Sequence, residues 1–257
     1  MSAEQPITVL GKTFNSEEER REYFREELRK KLPELKKMEG FPIGEDEDII
    51  NVSDPPYYTS CPNPWLNDFI EEWEKEKNLH HSRQVDFNIN QPFTSDISVG
   101  KNNPVYRSHS YHTKVPHPAI MRYLLYYTQP GDIVFDGFAG TGMTGVAASE
   151  CYSPKIETKH KIETDFKKLN LKPINWGKRK AICGELSPLA TFISYNLNKS
   201  NRADSVDDFL KLLSKIREKF SWMFETEHQG RTGLINYTVW SDVIICQNCG
   251  GEHLFWD

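Results

Sequence analysis

The chain has no apolar run approaching the roughly 20 residues that a membrane span requires, and no signal peptide opens it; a cytoplasmic protein is the default expectation. Cysteine is scarce. The five thiols, Cys61, Cys151, Cys183, Cys246 and Cys249, are odd in number and irregularly spaced. That excludes a disulfide framework and points to a reducing compartment. Positive charge is also short, with a formal net charge of −5. Because affinity for nucleic acid rests largely on phosphate neutralisation by Lys and Arg, a nucleic-acid enzyme of this balance must concentrate its cations locally. Internal repeats and low-complexity tracts are absent.

What is present suits a folded domain. Aromatic residues make up 12% of the 257 residues, too many for a disordered chain, and the length allows one large α/β domain with appendages. Between Pro154 and Lys180 lie Lys155, Lys159, Lys161, Lys167, Lys168, Lys172, Lys178, Arg179 and Lys180. This stretch reads as an inserted loop over 152–180, either simply solvated or contacting a DNA backbone.

Ser16 with Glu19 forms a capping-box pattern that opens a charged helix running to about Lys37, with Tyr23, Phe24 and Leu28 on a narrow apolar face. Pro33 is expected to kink or end it. Asp48 to Val52 reads as a short strand, followed by Asp54-Pro55-Pro56-Tyr57. Trp65, Leu66, Phe69, Ile70 and Trp73 recur at helical spacing, so that face is buried. Residues 79–112 read as a long ordered loop. A helix from about Pro118 to Tyr127, a turn at Gln129 to Asp132, and a buried strand Ile133 to Asp136 follow. Then come a glycine-rich turn, a helix, a strand over Lys180 to Gly184, a helix opened by Ser187-Pro188, and an amphipathic helix over 204–224. Strand and helix alternating in this way imply parallel βαβ units.

The segment Asp136-Gly137-Phe138-Ala139-Gly140-Thr141-Gly142 carries the most information. A strand ends there, and glycines let the backbone turn tightly and a ligand approach the main chain. The next helix offers free N–H groups and a partial positive charge, suited to the carboxylate of an amino-acid-like ligand. Gly140, Gly142 and Gly145 also satisfy the dinucleotide pattern, but no acid stands about 20 residues on. Glu185, at a later strand end, is the carboxylate able to hold two ribose hydroxyls. A phosphate loop is excluded, since no Lys-Ser or Lys-Thr follows the glycines.

His112-Thr113-Lys114-Val115-Pro116-His117-Pro118, an apolar helix, the Gly131-Asp132 turn and the Asp136 to Gly142 loop resemble, in that order, the amino-methyltransferases of DNA. The resemblance covers 112–197 and implies an α/β, Rossmann-like fold. It implies S-adenosyl-L-methionine as cofactor, with Lys114, His117, Pro118, Asp136, Gly137, Phe138, Ala139, Gly140, Thr141, Gly142 and Glu185 around it. His109, His112 and His117 read as loop or pocket-wall residues rather than metal ligands. Asp54-Pro55-Pro56-Tyr57 resembles the same family's catalytic motif. An exocyclic amine is a poor nucleophile because its lone pair is delocalised into the ring. The Asp54 carboxylate and the carbonyl after it can accept both amine hydrogens and direct the lone pair at a sulfonium methyl. Tyr57 can stack on the flipped base. Asp at the first position leans toward adenine N6, with cytosine N4 open. Cytosine C5 chemistry needs a thiolate in Pro-Cys order, whereas Cys61 precedes Pro62. About 80 residues separate the two motifs, a short interval for the permuted class. Either the recognition region lies elsewhere or the true catalytic motif lies beyond residue 257.

Cys246-Gln247-Asn248-Cys249-Gly250-Gly251 after the β-like run Val243 to Ile245 resembles one knuckle of a zinc ribbon, half of a tetrahedral site. The expected organisation is a helical extension over 1–45, a methyltransferase domain over 46–225, and the start of a zinc-ribbon-like module over 226–257, in an N-terminal fragment of a longer enzyme. Double-stranded DNA is the expected partner, with a restriction or defence subunit as a further one and no membrane. A dinucleotide-dependent oxidoreductase and a non-catalytic DNA- or cofactor-binding subunit stand as alternatives, separable by nicotinamide binding and by activity.

Overall fold

A computed structural model describes residues 6–77, 83, 87–94, 96, 100–199 and 206–254. The chain divides into two compact units, Met1–Lys199 and Ser200–Asp257.

In the first unit, β1 (Ile7–Val9) and β2 (Lys12–Phe14) form an antiparallel hairpin. Its turn places both Leu10 (φ 48°) and Gly11 (φ 73°) in the left-handed region, the requirement of a type I′ turn. Leucine is an uncommon residue there, so the sequence carried no hairpin signal. Helix α1 (Glu17–Leu35) begins where expected: the Ser16 hydroxyl accepts from the Glu19 N–H at 3.1 Å. The Glu19 carboxylate accepts from the Asn15 N–H at 2.7 Å, one residue before the cap. Pro33 does not end the helix, which continues two residues further to Leu35. The ring lies in the last turn, where only one intrahelical bond is forfeited.

The strand expected at 48–52 is instead helix α2 (Asp46–Val52). Asp46, Glu47 and Asp48 fill its first turn, where carboxylates complement the free N–H groups and the helix dipole. Ile49 and Ile50 are both buried against Phe24, Leu28 and Leu32 of α1. Adjacent residues of a strand would face opposite ways, whereas here both enter one core. Helix α3 (Leu66–Lys77) completes that core with Phe69, beside Trp65, whose ring meets Phe24 edge-on at 5.4 Å.

Of the loop expected over 79–112, the described part contains the short helix α4 (Pro104–Arg107), capped by Asn103; positions 79–82, 84–86, 95 and 97–99 lie outside the described residues. Helix α5 (His117–Tyr127), strand β3 (Ile133–Asp136), helix α6 (Met143–Glu150), helix α7 (Ile156–Lys168), strand β4 (Lys180–Cys183) and helix α8 (Pro188–Asn198) follow. β3 and β4 pair in parallel, from Ile133 opposite Lys180 to Asp136 opposite Cys183. The segment expected as an inserted lysine-rich loop is largely α7. Ile162 and Phe166, one turn apart, enter the second core with Met121, Leu125, Ala147 and Cys151. Arg122, 2% exposed, holds α5 to α7 through Asp165 at 2.6 Å. Arg179, counted among the candidate DNA-contacting cations, is 1% exposed and donates to the backbone carbonyls of Thr128, Asn175 and Gly177.

In the second unit the expected helix stops early. α9 (Val206–Lys219) gives way to a 3₁₀ turn over Ser221–Phe224. The hairpins β5 (Glu225–His228) with β6 (Arg231–Leu234), and β7 (Val243–Ile245) with β8 (Glu252–Leu254), follow. Among the described residues every sheet is two-stranded, so the architecture is mixed α/β, with the parallel pair β3–β4 in the first unit.

Candidate active site

The glycine-rich loop closes off the β3–β4 pair. The Ala139 N–H donates to the Gly184 carbonyl at 3.0 Å, and the Gly184 N–H to the Asp136 carbonyl at 2.8 Å. One Asp136 carboxylate oxygen accepts from the Phe138 N–H at 3.1 Å, and the other from the Thr144 hydroxyl at 2.6 Å. Asp136 therefore ties the strand end to the first turn of α6. Glu185 reaches back from β4. Its Oε2 accepts from the Gly140 N–H at 2.9 Å and its Oε1 from the Leu186 N–H at 2.8 Å. Oε1 also accepts from the Ser187 N–H at 3.2 Å, so Oε2 is the oxygen that retains a lone pair for a further donor.

Gly140 and Gly142 have φ of +52° and +81°. A Cβ on Gly142 would lie 2.1 Å from Ser194 Oγ, and one on Gly140 would lie 2.8 Å from the Tyr111 ring. The loop is thus pressed between α8 and the 109–114 segment. Phe138 and Leu186 stand out at 92% and 87% exposure, an apolar pair flanking the two carboxylates. The buried Thr141 hydroxyl has no hydrogen-bond partner.

The residues expected ahead of α5 behave differently. Lys114 donates to the His109 carbonyl at 2.5 Å and lies over the Tyr106 ring at 4.9 Å. His117 opens α5 at 3% exposure; burial, with Lys155 nearby, pushes its imidazole down to about 4. Pro118 packs on Gly100, where a Cβ would sit 2.8 Å from its ring. Among the hydrogen bonds of the described residues, none joins Lys114, His117 or Pro118 to the glycine loop. Tyr111, which sequence reasoning passed over, is the residue of this segment that meets the loop.

Asp54 lies at the end of α2, where a short antiparallel bridge pairs its backbone with Tyr58. The carboxylate is saturated. Oδ1 accepts from Arg20 at 2.7 Å and Arg21 at 3.2 Å, and Oδ2 accepts from Lys199 at 2.8 Å and from the Tyr195 hydroxyl. Burial pushes Asp54 up, but the hydrogen bonds from Lys199, Tyr195 and Arg20 outweigh it and hold the carboxyl well below the usual carboxylate range. The same guanidinium donates to the Pro55 carbonyl at 2.5 Å and covers the Tyr57 ring at 5.1 Å. The Pro55–Pro56 bond is cis, and the Pro56 carbonyl accepts from Asn63 at 2.8 Å. Tyr57 stacks on Phe69 yet remains 48% exposed.

Arg20, Tyr195 and Lys199 were not found from sequence. A signal existed: Arg20 stands on the same stripe as Phe24, Leu28 and Leu32, one turn apart each time, and a cation on a buried face needs a buried partner. The glycine loop and Asp54 are brought to α8 from two sides, through Ser194 and Asn198 for the loop and Tyr195 and Lys199 for Asp54.

A cleft of about 640 Å³ is lined by Gly100, Asn103, Pro118, Arg122, Lys155 and Lys161 among others. Lys155 and Lys161 are exposed and form no ion pair among the described residues. Cys61 has its thiol pushed up to about 11 by burial, against any nucleophilic role. At the chain end, the Cys246 N–H donates to the Gly251 carbonyl at 2.9 Å and the Gly250 N–H to the Cys246 carbonyl at 2.9 Å. Backbone hydrogen bonds from Cys249 and Asn248 lower the Cys246 thiol. The turn brings two thiols together, but among the described residues no group of three or more His, Cys, Asp or Glu side chains could hold a metal. Nor is any described helix long and apolar enough to cross a membrane.

A strand leading into a glycine loop, with carboxylates at two parallel strand ends and an Asp-Pro-Pro-Tyr segment on a shared helix, defines a methyltransferase-type α/β domain. The family model described as DNA methylase, for N6 and N4 methyltransferases, matches residues 13–168. The chain belongs to this DNA methylase family, and membership implies a Rossmann-like fold and S-adenosylmethionine as methyl donor. No match was found among curated proteins or solved structures.

Proposed function

We propose that the chain transfers a methyl group to the exocyclic amine of a flipped DNA base, adenine N6 ahead of cytosine N4, with Asp54 and Pro55 as the amine's acceptors. The observation that carries this reading is the Arg20 fork: Asp54 Oδ1 and the Pro55 carbonyl converge so that one planar group donates an N–H to each, at 2.7 and 2.5 Å.

The cofactor, when bound, supplies a methyl group on a sulfonium centre. Asp136, Gly137, Phe138, Ala139, Gly140, Thr141, Gly142 and Glu185 fit such a group. The free N–H groups at the start of α6 suit its carboxylate, Glu185 Oε2 has acceptor capacity left for a ribose hydroxyl, and exposed Phe138 offers an apolar surface to its adenine. In this reading Lys114, His117 and Pro118 complete the methionine side of the pocket. Asp54 and Pro55 accept the two amine hydrogens and turn the lone pair out of the ring plane. Asp54, still hydrogen-bonded by Lys199 and Tyr195, serves as a hydrogen-bond acceptor, and the proton that the methylated amine loses passes to solvent. Tyr57 stacks on the base. Lys155 and Lys161, with the other exposed lysines of α7, take DNA phosphates. Cys246 and Cys249 serve as half of a zinc site in a terminal module. A bacterial, archaeal or phage setting, in restriction-modification or phage defence, accompanies the reading.

The test is methyl incorporation into DNA by the active full-length enzyme carrying Asp54→Ala. Loss of turnover with retained cofactor binding is expected; unchanged turnover overturns the reading. Calorimetric titration with S-adenosylmethionine, with Asp136→Ala as control, tests the cofactor loop separately.

A further inference from the structure

Arg20 makes all three contacts that the proposed chemistry requires of the target base. Its two terminal nitrogens donate to Asp54 and to the Pro55 carbonyl, and its guanidinium lies over the Tyr57 ring. The side chain is 1% exposed. The Asp54 carboxylate offers about four lone-pair sites, and Arg20, Arg21, Tyr195 and Lys199 supply a donor for each. An incoming amine therefore cannot be accommodated until a donor leaves. Only Arg20 also blocks the second acceptor and the stacking surface.

We propose that Arg20 is an internal stand-in for the flipped base, a gate on α1 that closes the amine seat and must withdraw before the base enters. The inference rests on Asp54 and Pro55 being the amine's acceptors. A resting place for the withdrawn side chain is already built. Arg20 Nε pairs with Glu17 at 2.7 Å, and the Glu17 side chain is 51% exposed. Breaking the two inner bonds leaves that pair intact and carries the guanidinium toward solvent along the first turn of α1. The seat does not lose its positive surroundings on opening, because Arg21 and Lys199 remain on Asp54. On entering, a planar group with two donors restores the hydrogen bonds that the departing guanidinium gives up.

The test uses the full-length enzyme and a duplex carrying its mapped modification site, with either the target base or the analogue lacking the exocyclic amine (purine for adenine, pyrimidin-2-one for cytosine). In the wild type, displacement of Arg20 offsets the amine's hydrogen bonds, so the two duplexes bind with similar affinity. Arg20→Met removes the competitor. The preference for the amine-bearing duplex is expected to rise about tenfold, as two unopposed hydrogen bonds would give, and KM for DNA falls while kcat is maintained. An unchanged preference, or a kcat lowered to the level of Asp54→Ala, overturns the gate. If Arg20→Met fails to fold by thermal melting, Arg20→Lys, whose single ammonium cannot span both acceptors and cover the ring, is expected to shift the preference in the same direction. No shift in that variant overturns the gate equally. Asp54→Ala, assayed alongside, separates the two ideas: full turnover there means the catalytic reading has failed, whereas its inactivity together with an unmoved preference in the Arg20 variant means that the gate alone has failed.

Discussion

Gly142→Ala should damage the chain through two separable effects. Gly142 has φ +81°, and an L-residue in that region costs about 1–2 kcal/mol. The added Cβ would stand 2.1 Å from Ser194 Oγ and 2.8 Å from Ser194 Cβ. The hydroxyl can rotate away, but the Cβ is anchored to α8. The helix or the loop must therefore shift by several tenths of an ångström, which overpacking series put at about 1–3 kcal/mol. The expected loss of stability is about 2–5 kcal/mol, read from urea unfolding, together with loss of S-adenosylmethionine binding by calorimetry, since the same shift moves the Gly140 N–H off Glu185. Ser194→Gly clears the two serine atoms, while Asn198 Nδ2 would still stand 2.7 Å from the added Cβ. In the Gly142→Ala/Ser194→Gly double variant the serine share of the overpacking should return as a coupling of about 1–2 kcal/mol, leaving the backbone part and the Asn198 contact behind. A single variant within about 0.5 kcal/mol of wild type, or a cycle without coupling, would refute the claim that α8 and the glycine loop are in close contact.

Further predictions concern the pH response, the basic face, the thiols and a buried cation. His117, held down to about 4 by burial, stays neutral in the fold while the unfolded chain protonates near 6.5. Stability should therefore fall as the pH drops below 6.5, by about 2 kcal/mol at pH 5, and His117→Gln should flatten the melting-temperature slope between those two values; an unaltered slope would refute the assignment. Replacing Lys155 and Lys161 by Gln should reduce the slope of log affinity against log salt for DNA by about 2, measured by fluorescence anisotropy, whereas an unaltered slope would remove these lysines from the interface. Iodoacetamide at neutral pH should label Cys246 ahead of Cys61, Cys151 and Cys183, whose thiols burial pushes up to about 11, 12 and 11; mass spectrometry of the digest decides. Arg179→Met should cost about 2 kcal/mol or more, because it removes the donor to the half-buried carbonyls of Thr128 and Gly177, and a wild-type denaturation midpoint would contradict that.

The parts of the fold that were legible in the sequence are those whose signal is local. The Asp136 to Gly142 loop announced itself because tight turns demand glycine, and Ser16 and Ser187 marked helix starts because their hydroxyls accept N–H groups of the first turn. The errors came where two local signals compete and a distant partner decides. Asp48 to Val52 has β-branched residues, yet its acidic start and the two adjacent isoleucines entering α1's core make it a helix. The stretch after Pro154 looked like a solvated insertion because its lysines dominate the composition; Ile162 and Phe166, one helical turn apart, contained the contrary evidence. Charge counted along the chain also overstated the basic surface, since Arg179 turns inward and Lys180 pairs with Glu76 at 3.2 Å.

The candidate site shows the same division more sharply. Asp54-Pro55-Pro56-Tyr57 was visible as a motif because its chemistry resides in adjacent residues. Its electrostatic state was not, because the groups that set it lie 34, 141 and 145 positions away. The two sides of the carboxylate are held differently. Tyr195 and Lys199 approach Oδ2 from α8 and its cap, the helix that also presses on the glycine loop, whereas Arg20 and Arg21 approach Oδ1 from α1, which packs in the first core. The α8 side is therefore tied to the loop proposed to bind the cofactor, and the α1 side is free to respond to the base. An acceptor whose one oxygen is fixed by the cofactor-side helix and whose other oxygen is released by an independent helix can discriminate an occupied from an empty seat without disturbing the loop that holds the methyl donor.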